Sequence, residues 1–295
     1  MHKMGKRFNC ILLSLVAFLL MTGFAFKPAK ESAYPYGAGV FSYDHLPNEA
    51  DIRCMKENDI TEVYQYIAPE TSYEEVHRFL KEMAVNGIDV YVLAGEPEWC
   101  YEENYASMKT VLDRTRSFNM GLSKKQKIKG VVFDIEPYLL KKWHNIPDEL
   151  LEQYTNNVVK VMEERADDEV PLSVYLCVPY SYDTSGREKV LRQLISETDG
   201  VIVMNYYKGS EKENIKREAA LARWYKKRII NAYELQPGLL SQTNNSITYY
   251  KDGIDAVNDN YQDLISEYSH HDMGIAFHTL EYLRALTLQN SEKKK

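Results

Sequence analysis

The chain has 295 residues, of which 44% are hydrophobic and 27% charged, and a formal net charge of −7 at pH 7. That length suits one large α/β domain or two small ones, and the composition is that of an ordinary globular protein. The acidic balance, with no basic stripe carrying interleaved aromatics, excludes nucleic acid as an expected partner.

Residues 1–26 read as a targeting segment. His2, Lys3, Lys6 and Arg7 make a basic start, Ile11 to Phe26 is almost uninterrupted apolar sequence, and Gly23-Phe24-Ala25 supplies small residues for a signal peptidase. Two outcomes follow: a signal peptide cut after Ala25, or an uncleaved anchor that attaches the protein to a membrane. Either makes the protein secreted or otherwise extracytoplasmic. Cys10 precedes the apolar run and is no lipoprotein attachment site. Cys54, Cys100 and Cys177 remain, an odd and widely spaced set that forms no disulfide framework. Cys177, inside an apolar strand, reads as a small buried hydrophobe. With no Cys-x-x-Cys and no His-x-x-x-His, neither a metal nor a cofactor is implied. Oligomeric state is not encoded in any recognisable pattern.

From residue 34 to 290, short apolar runs alternate with longer amphipathic ones. The predicted strands are Gly39–Tyr43, Thr61–Ile67, Asp89–Ala94, Lys129–Glu136, Leu172–Pro179, Gly200–Tyr206, Arg228–Glu234 and Met273–His278, most of them rich in Val, Ile and Tyr. The predicted helices are Asn48–Asn58, Ser72–Asn86, Glu103–Met120, Asp148–Asp167, Ser185–Glu197, Lys212–Lys227, Tyr250–Glu267 and Glu281–Gln289. Ser72 and Asp148 serve as start signals, Asn86-Gly87 and Met120-Gly121 as stops. Strict β–α alternation at this length predicts a single α/β domain of the (β/α)8 TIM-barrel type. An open doubly wound sheet would require a glycine-rich first turn, and Phe41-Ser-Tyr-Asp-His-Leu46 has none.

In such a barrel, catalytic groups gather at the carboxyl ends of the strands. Those ends carry Tyr66, then Glu96 and Trp99, then Asp134, Glu136 and Tyr138. They continue with Tyr180, with Asn205 and Tyr206, with Glu234, and with His278. The fourth strand is the most informative, because Asp134 and Glu136 are two apart and share one face. Each carboxylate then perturbs the other's ionisation. Acids set among aromatics at a barrel mouth point to a carbohydrate cleft. For His270-His271 the simplest reading is a polar loop before the last strand.

These residues resemble the chitinase-like family of glycoside hydrolases, whose fourth strand ends Asp-x-Asp-x-Glu and whose sixth ends Met-x-Tyr-Asp. Asp134-Ile-Glu136 matches the last part of the first motif, and Met204-Asn-Tyr206 most of the second. Val132 stands where the first aspartate would, Tyr207 replaces the final one, and His278 takes the place of a tryptophan on the eighth strand. The resemblance implies hydrolysis of a polysaccharide or an N-acetylhexosamine-containing glycan. In it Glu136 is the general acid, Asp134 orients the N-acetyl group and Tyr206 holds it. Tyr66, Glu96, Trp99, Tyr138, Tyr180, Asn205 and His278 would contact substrate.

A second hydrolytic reading pairs Glu136 with Glu234, since many retaining glycosidases on this barrel use the ends of strands four and seven. It requires carboxyls about 5–5.5 Å apart, and Ile135 stands where those enzymes usually have asparagine. Two non-enzyme readings also stand: a carbohydrate-binding barrel without activity, favoured by Val132 and Tyr207, and a cell-surface scaffold.

Overall fold

The computed structural model describes residues 32–166, 171–182, 186–237, 247–268 and 273–293. The predicted targeting segment, Asp183 and His270-His271 lie outside them. The chain divides after Ser32, and everything described below belongs to the second unit.

Eight strands close into a parallel barrel in sequence order. They are β1 (Ala38–Ser42), β2 (Glu62–Tyr66), β3 (Asp89–Ala94), β4 (Gly130–Phe133), β5 (Ser173–Pro179), β6 (Gly200–Met204), β7 (Arg228–Glu234) and β8 (Met273–His278). Between and after them run α1 (Glu49–Glu57), α2 (Tyr73–Val85), α3 (Ala106–Phe118), α4 (Pro147–Ala166), α5 (Glu188–Glu197), α6 (Glu211–Tyr225), α7 (Ile254–Tyr268) and α8 (Leu280–Lys293). Among the described residues no helix is long and apolar enough to cross a membrane.

Local chemistry accounts for the boundaries. Ser72 forms the expected capping box with Glu75, and Asn48 forms a second one with Asp51. Asp148 falls in the first turn of α4 rather than at its cap. Pro147 opens that helix, where its fixed φ and missing N–H carry no cost. Ahead of α3, Pro97–Tyr101 and Glu103–Tyr105 form short 3₁₀ turns, so that helix begins three residues later than predicted.

The period-2 alternation of the strands divides the core into two layers. One set of side chains packs between sheet and helices. The other, which includes Tyr64, Tyr91, Val132, Tyr175 and Ile202, fills the barrel. Gly39 lies on β1 where a Cβ would collide with the Tyr64 ring, so glycine makes the room for that tyrosine. Near the amino ends of the strands, Arg228 pairs with Glu62 at 2.6 Å with both largely buried, and Tyr64 donates to the other Glu62 oxygen at 3.0 Å. A buried pair of this kind persists because each charge has a partner.

Candidate active site

The two-residue alternation that fills the barrel also builds its mouth. On β4 the inward parity runs from Val132 to Asp134 to Glu136, while Ile135 packs outward with the helical layer. The Asp134 N–H still donates to Ala94 O at 3.0 Å, so the ladder holds the first acid beyond the strand's end. A Cβ at Gly95 would collide with the Asp134 carbonyl oxygen, so this close approach of β3 to β4 depends on glycine. By the same parity Tyr43 follows Phe41, Tyr206 follows Met204, Glu234 follows Ala232 and His278 follows Ala276.

The two acids differ in environment. Burial raises the Asp134 carboxyl above its ordinary range, opposed by the field of His278 and by a hydrogen bond from the Cys177 thiol. Its Oδ1 is buried without a hydrogen-bond partner. Burial raises Glu136 from 4.5 to about 7, the Asp134 charge pushes in the same direction, and His278 opposes both. Glu136 therefore holds its proton close to neutrality, as a general acid must. The Tyr138 hydroxyl contacts Glu136 Oε1 and fixes the side chain from two residues on.

Glu234 is differently engaged. Its Oε2 lies 2.9 Å from His278 Nδ1, and its Oε1 accepts from Gln236 N at 2.7 Å. With both oxygens bonded, it is poorly placed to be the free nucleophile of a retaining pair. His278 packs edge-on against Phe41 and Tyr43, and its Nε2 faces the Tyr43 hydroxyl at 3.4 Å. The Tyr206 ring lies tilted over the same imidazole at 5.9 Å. Burial and the Glu234 charge keep the Tyr206 phenol protonated well beyond neutral pH.

Three cavities are lined by residues at this end of the barrel. One of about 420 Å³ is lined by Glu136, Tyr138, Trp143, Tyr180 and Tyr206. A second, of about 730 Å³, is lined by Asp134, Tyr43, Tyr66, Glu96 and Trp99 and reaches Val111 on α3. A third, of about 490 Å³, lies beyond Tyr43 and His278 toward α8. The predicted site residues are thus brought to one end of the barrel but divided among separate cavities, with Glu136 lining the first and Asp134 the second. Glu234 lines none of the three and stands behind His278.

Asn205 requires a correction. It has the outward parity of β6, is 2% exposed, and donates to Glu211 O and Asn231 Oδ1, both at 2.9 Å. It ties β6 to β7 and α6 and does not reach the cleft. Tyr43 and Cys177 were missed as site residues. The alternation through Phe41 and Tyr175 was the signal that could have found them. Tyr207, where the resemblance calls for an acid, is 44% exposed.

No family model matches the chain, and no curated protein matches it in sequence. Solved structures do match in shape. What they share with this chain is the (β/α)8 barrel. A chitinase from Bacteroides thetaiotaomicron superposes with a TM-score of 0.53 at 9% identity, over 82% of this chain and 89% of that one. A Cycas revoluta chitinase solved with allosamidin gives 0.55 at 11%, over 86% and 99%. The intracellular xylanase of Thermoanaerobacterium saccharolyticum gives 0.54 at 11%, over 83% and 86%. At such identities the likeness establishes the fold.

Proposed function

We propose that this protein is an extracytoplasmic glycoside hydrolase that cleaves a polysaccharide or an N-acetylhexosamine-containing glycan at the Asp134–Glu136 pair. The observation that carries the reading is Glu136. It is an acid raised to about 7 at the barrel mouth, lining one aromatic-lined cavity while its neighbour Asp134 lines another. A glycan chain running from the Asp134 cavity to the Glu136 cavity would place one sugar on each side of the scissile bond. The Cycas revoluta chitinase with a similar fold was solved with (GlcNAc)3, which favours the same ligand class here.

In this chemistry the Glu136 carboxyl gives its proton to the glycosidic oxygen as the C–O bond breaks. The carbonyl oxygen of the substrate's own N-acetyl group closes on the anomeric carbon. Asp134 holds the N–H of that group and balances the positive charge of the ring so formed. Water then opens the ring, giving one proton to the Glu136 carboxylate and restoring the acid. Tyr206, protonated throughout, donates to the acetyl oxygen.

A non-hydrolytic sugar-binding barrel is the second reading, favoured by Val132 and by the exposed Tyr207, which leave two acid positions of the resemblance empty. A panel of chitin, peptidoglycan and xylan oligosaccharides separates the two. Hydrolysis by the wild type should fall about 10²–10⁴-fold in Glu136→Gln. Cleavage that survives the substitution removes Glu136 as the acid, and binding without cleavage supports the second reading.

A further inference from the structure

The cavity that Asp134 lines is not confined to the barrel mouth. It runs past Leu93, Ala94 and Gly95 at the end of β3 and is closed on its far side by Val111, Thr115 and Phe118 of α3. Leu93 belongs to the layer that fills the barrel, whereas Val92 and Phe118 belong to the layer between sheet and helices. The cavity therefore opens from one core layer into the other. Its volume, about 730 Å³, is ample for a ligand with more than one part.

What α3 offers this cavity is mainly carbon, because its polar side chains are committed elsewhere. Ser107 Oγ donates to Glu102 Oε1 at 2.7 Å, Thr110 Oγ1 to Ala106 O at 2.9 Å and Thr115 Oγ1 to Val111 O at 2.7 Å. Arg114 is turned onto the chain that follows β2. Its Nη1 donates to Ile67 O at 3.0 Å, and its Nη2 to Ala68 O and Pro69 O at 2.7 and 3.1 Å. The guanidinium lies 5.0 Å from the centre of the Phe118 ring. A sugar ring at this end would bury hydroxyls with few partners, at a cost for each. An alkyl chain carries no such cost. At the mouth the chemistry reverses. Asp134 Oδ1 is buried without a hydrogen-bond partner, and Tyr66 and Glu96 are exposed at the rim. One end calls for a donor head with flat apolar faces, the other for hydrocarbon. Two carboxylates at the head end disfavour an anion there, such as a free fatty acid.

We propose that the cavity between β3 and α3 is a subsite for an alkyl chain carried by the sugar, so that the ligand class is an uncharged amphiphilic glycan. A hydroxyl or amide N–H of the sugar donates to Asp134 Oδ1, Tyr66 and Trp99 flank the ring, and the chain lies against Val92, Val111 and Phe118. The assignment rests on the reading of this mouth as a glycan site, but its test does not need turnover.

That test is calorimetry of the full-length chain with the methyl, butyl and hexyl glycosides of N-acetylglucosamine. Affinity should rise about two- to fourfold with each added methylene. Val111→Phe, which fills the cavity from α3, should abolish that rise and leave the methyl glycoside within about twofold of the wild type. Thr110→Trp fills it from an exposed position, so the answer does not depend on a core substitution folding. Equal affinity across the series, or a rise that survives in both variants, overturns the proposal. If the rise is present and lost in the variants while no glycan is cleaved, the subsite stands and the hydrolytic reading fails. Cleavage of oligosaccharides with no effect of chain length sinks this inference alone. Failure of every glycoside to bind overturns the sugar-binding premise and the inference with it.

Discussion

An acid that the fold holds protonated carries a cost in folding, and Glu136 makes that cost measurable. Its carboxyl moves from 4.5 to about 7 on folding, chiefly because burial penalises the ionised form. Below pH 4.5 the group is protonated in both folded and unfolded chains and contributes no difference. As the pH rises from there toward 7, the unfolded chain releases its proton while the fold retains it, so stability falls. Above pH 7 both states are ionised and the full penalty persists. At 1.36 kcal/mol per pH unit the ceiling is about 3.4 kcal/mol. Glu136 is only half-buried, and solvent screening reduces this to about 1–2 kcal/mol.

Glu136→Gln removes the ionisable group and keeps an oxygen for the Tyr138 hydroxyl. The variant should match the wild type at pH 4 and melt about 2–8 °C higher at pH 8. Part of this gain is relief of Asp134, since the two carboxyls titrate as a pair and their mutual repulsion counts once. Thermal melts followed by circular dichroism between pH 4 and 9 read the difference directly. A melting difference that stays flat across this range, or a variant less stable at pH 8, refutes the argument that the fold holds Glu136 against its ionisation.

Three further outcomes follow from the same structure. Where the wild type cleaves a glycan, kcat/KM should fall about tenfold per pH unit above pH 7 as Glu136 loses its proton, and a profile still rising at pH 9 excludes it as the acid. Asn205→Ala should lower unfolding stability by about 1–3 kcal/mol by leaving buried partners unpaired, without changing oligosaccharide affinity. Weaker sugar binding in that variant, measured by calorimetry, would return Asn205 to the cleft. Arg228→Met should cost about 3–5 kcal/mol in denaturant unfolding by stranding Glu62, and adding Glu62→Met should recover much of it.

Much of the fold was legible because β–α periodicity is a local property. Val- and Ile-rich runs of about six residues, separated by capped amphipathic helices, leave few alternatives to a closed parallel sheet. The end of β4 was legible for the same reason, since residues two apart must share a face. Asn205 was assigned to the cleft because it stands with Tyr206 at the carboxyl end of the sixth strand. The pleat sends these neighbours in opposite directions, one into the barrel and one toward α6.

The sequence by itself determined the strands, their order, and the placing of Asp134 and Glu136 at a barrel mouth, because each rests on spacing along one segment. Only the tertiary structure decided what those acids experience. Their depth of burial depends on how eight strands close, and the β7–β8 register set Glu234 against His278. Spacing fixes which face a side chain takes. Charge and desolvation depend on what the rest of the chain brings to that face.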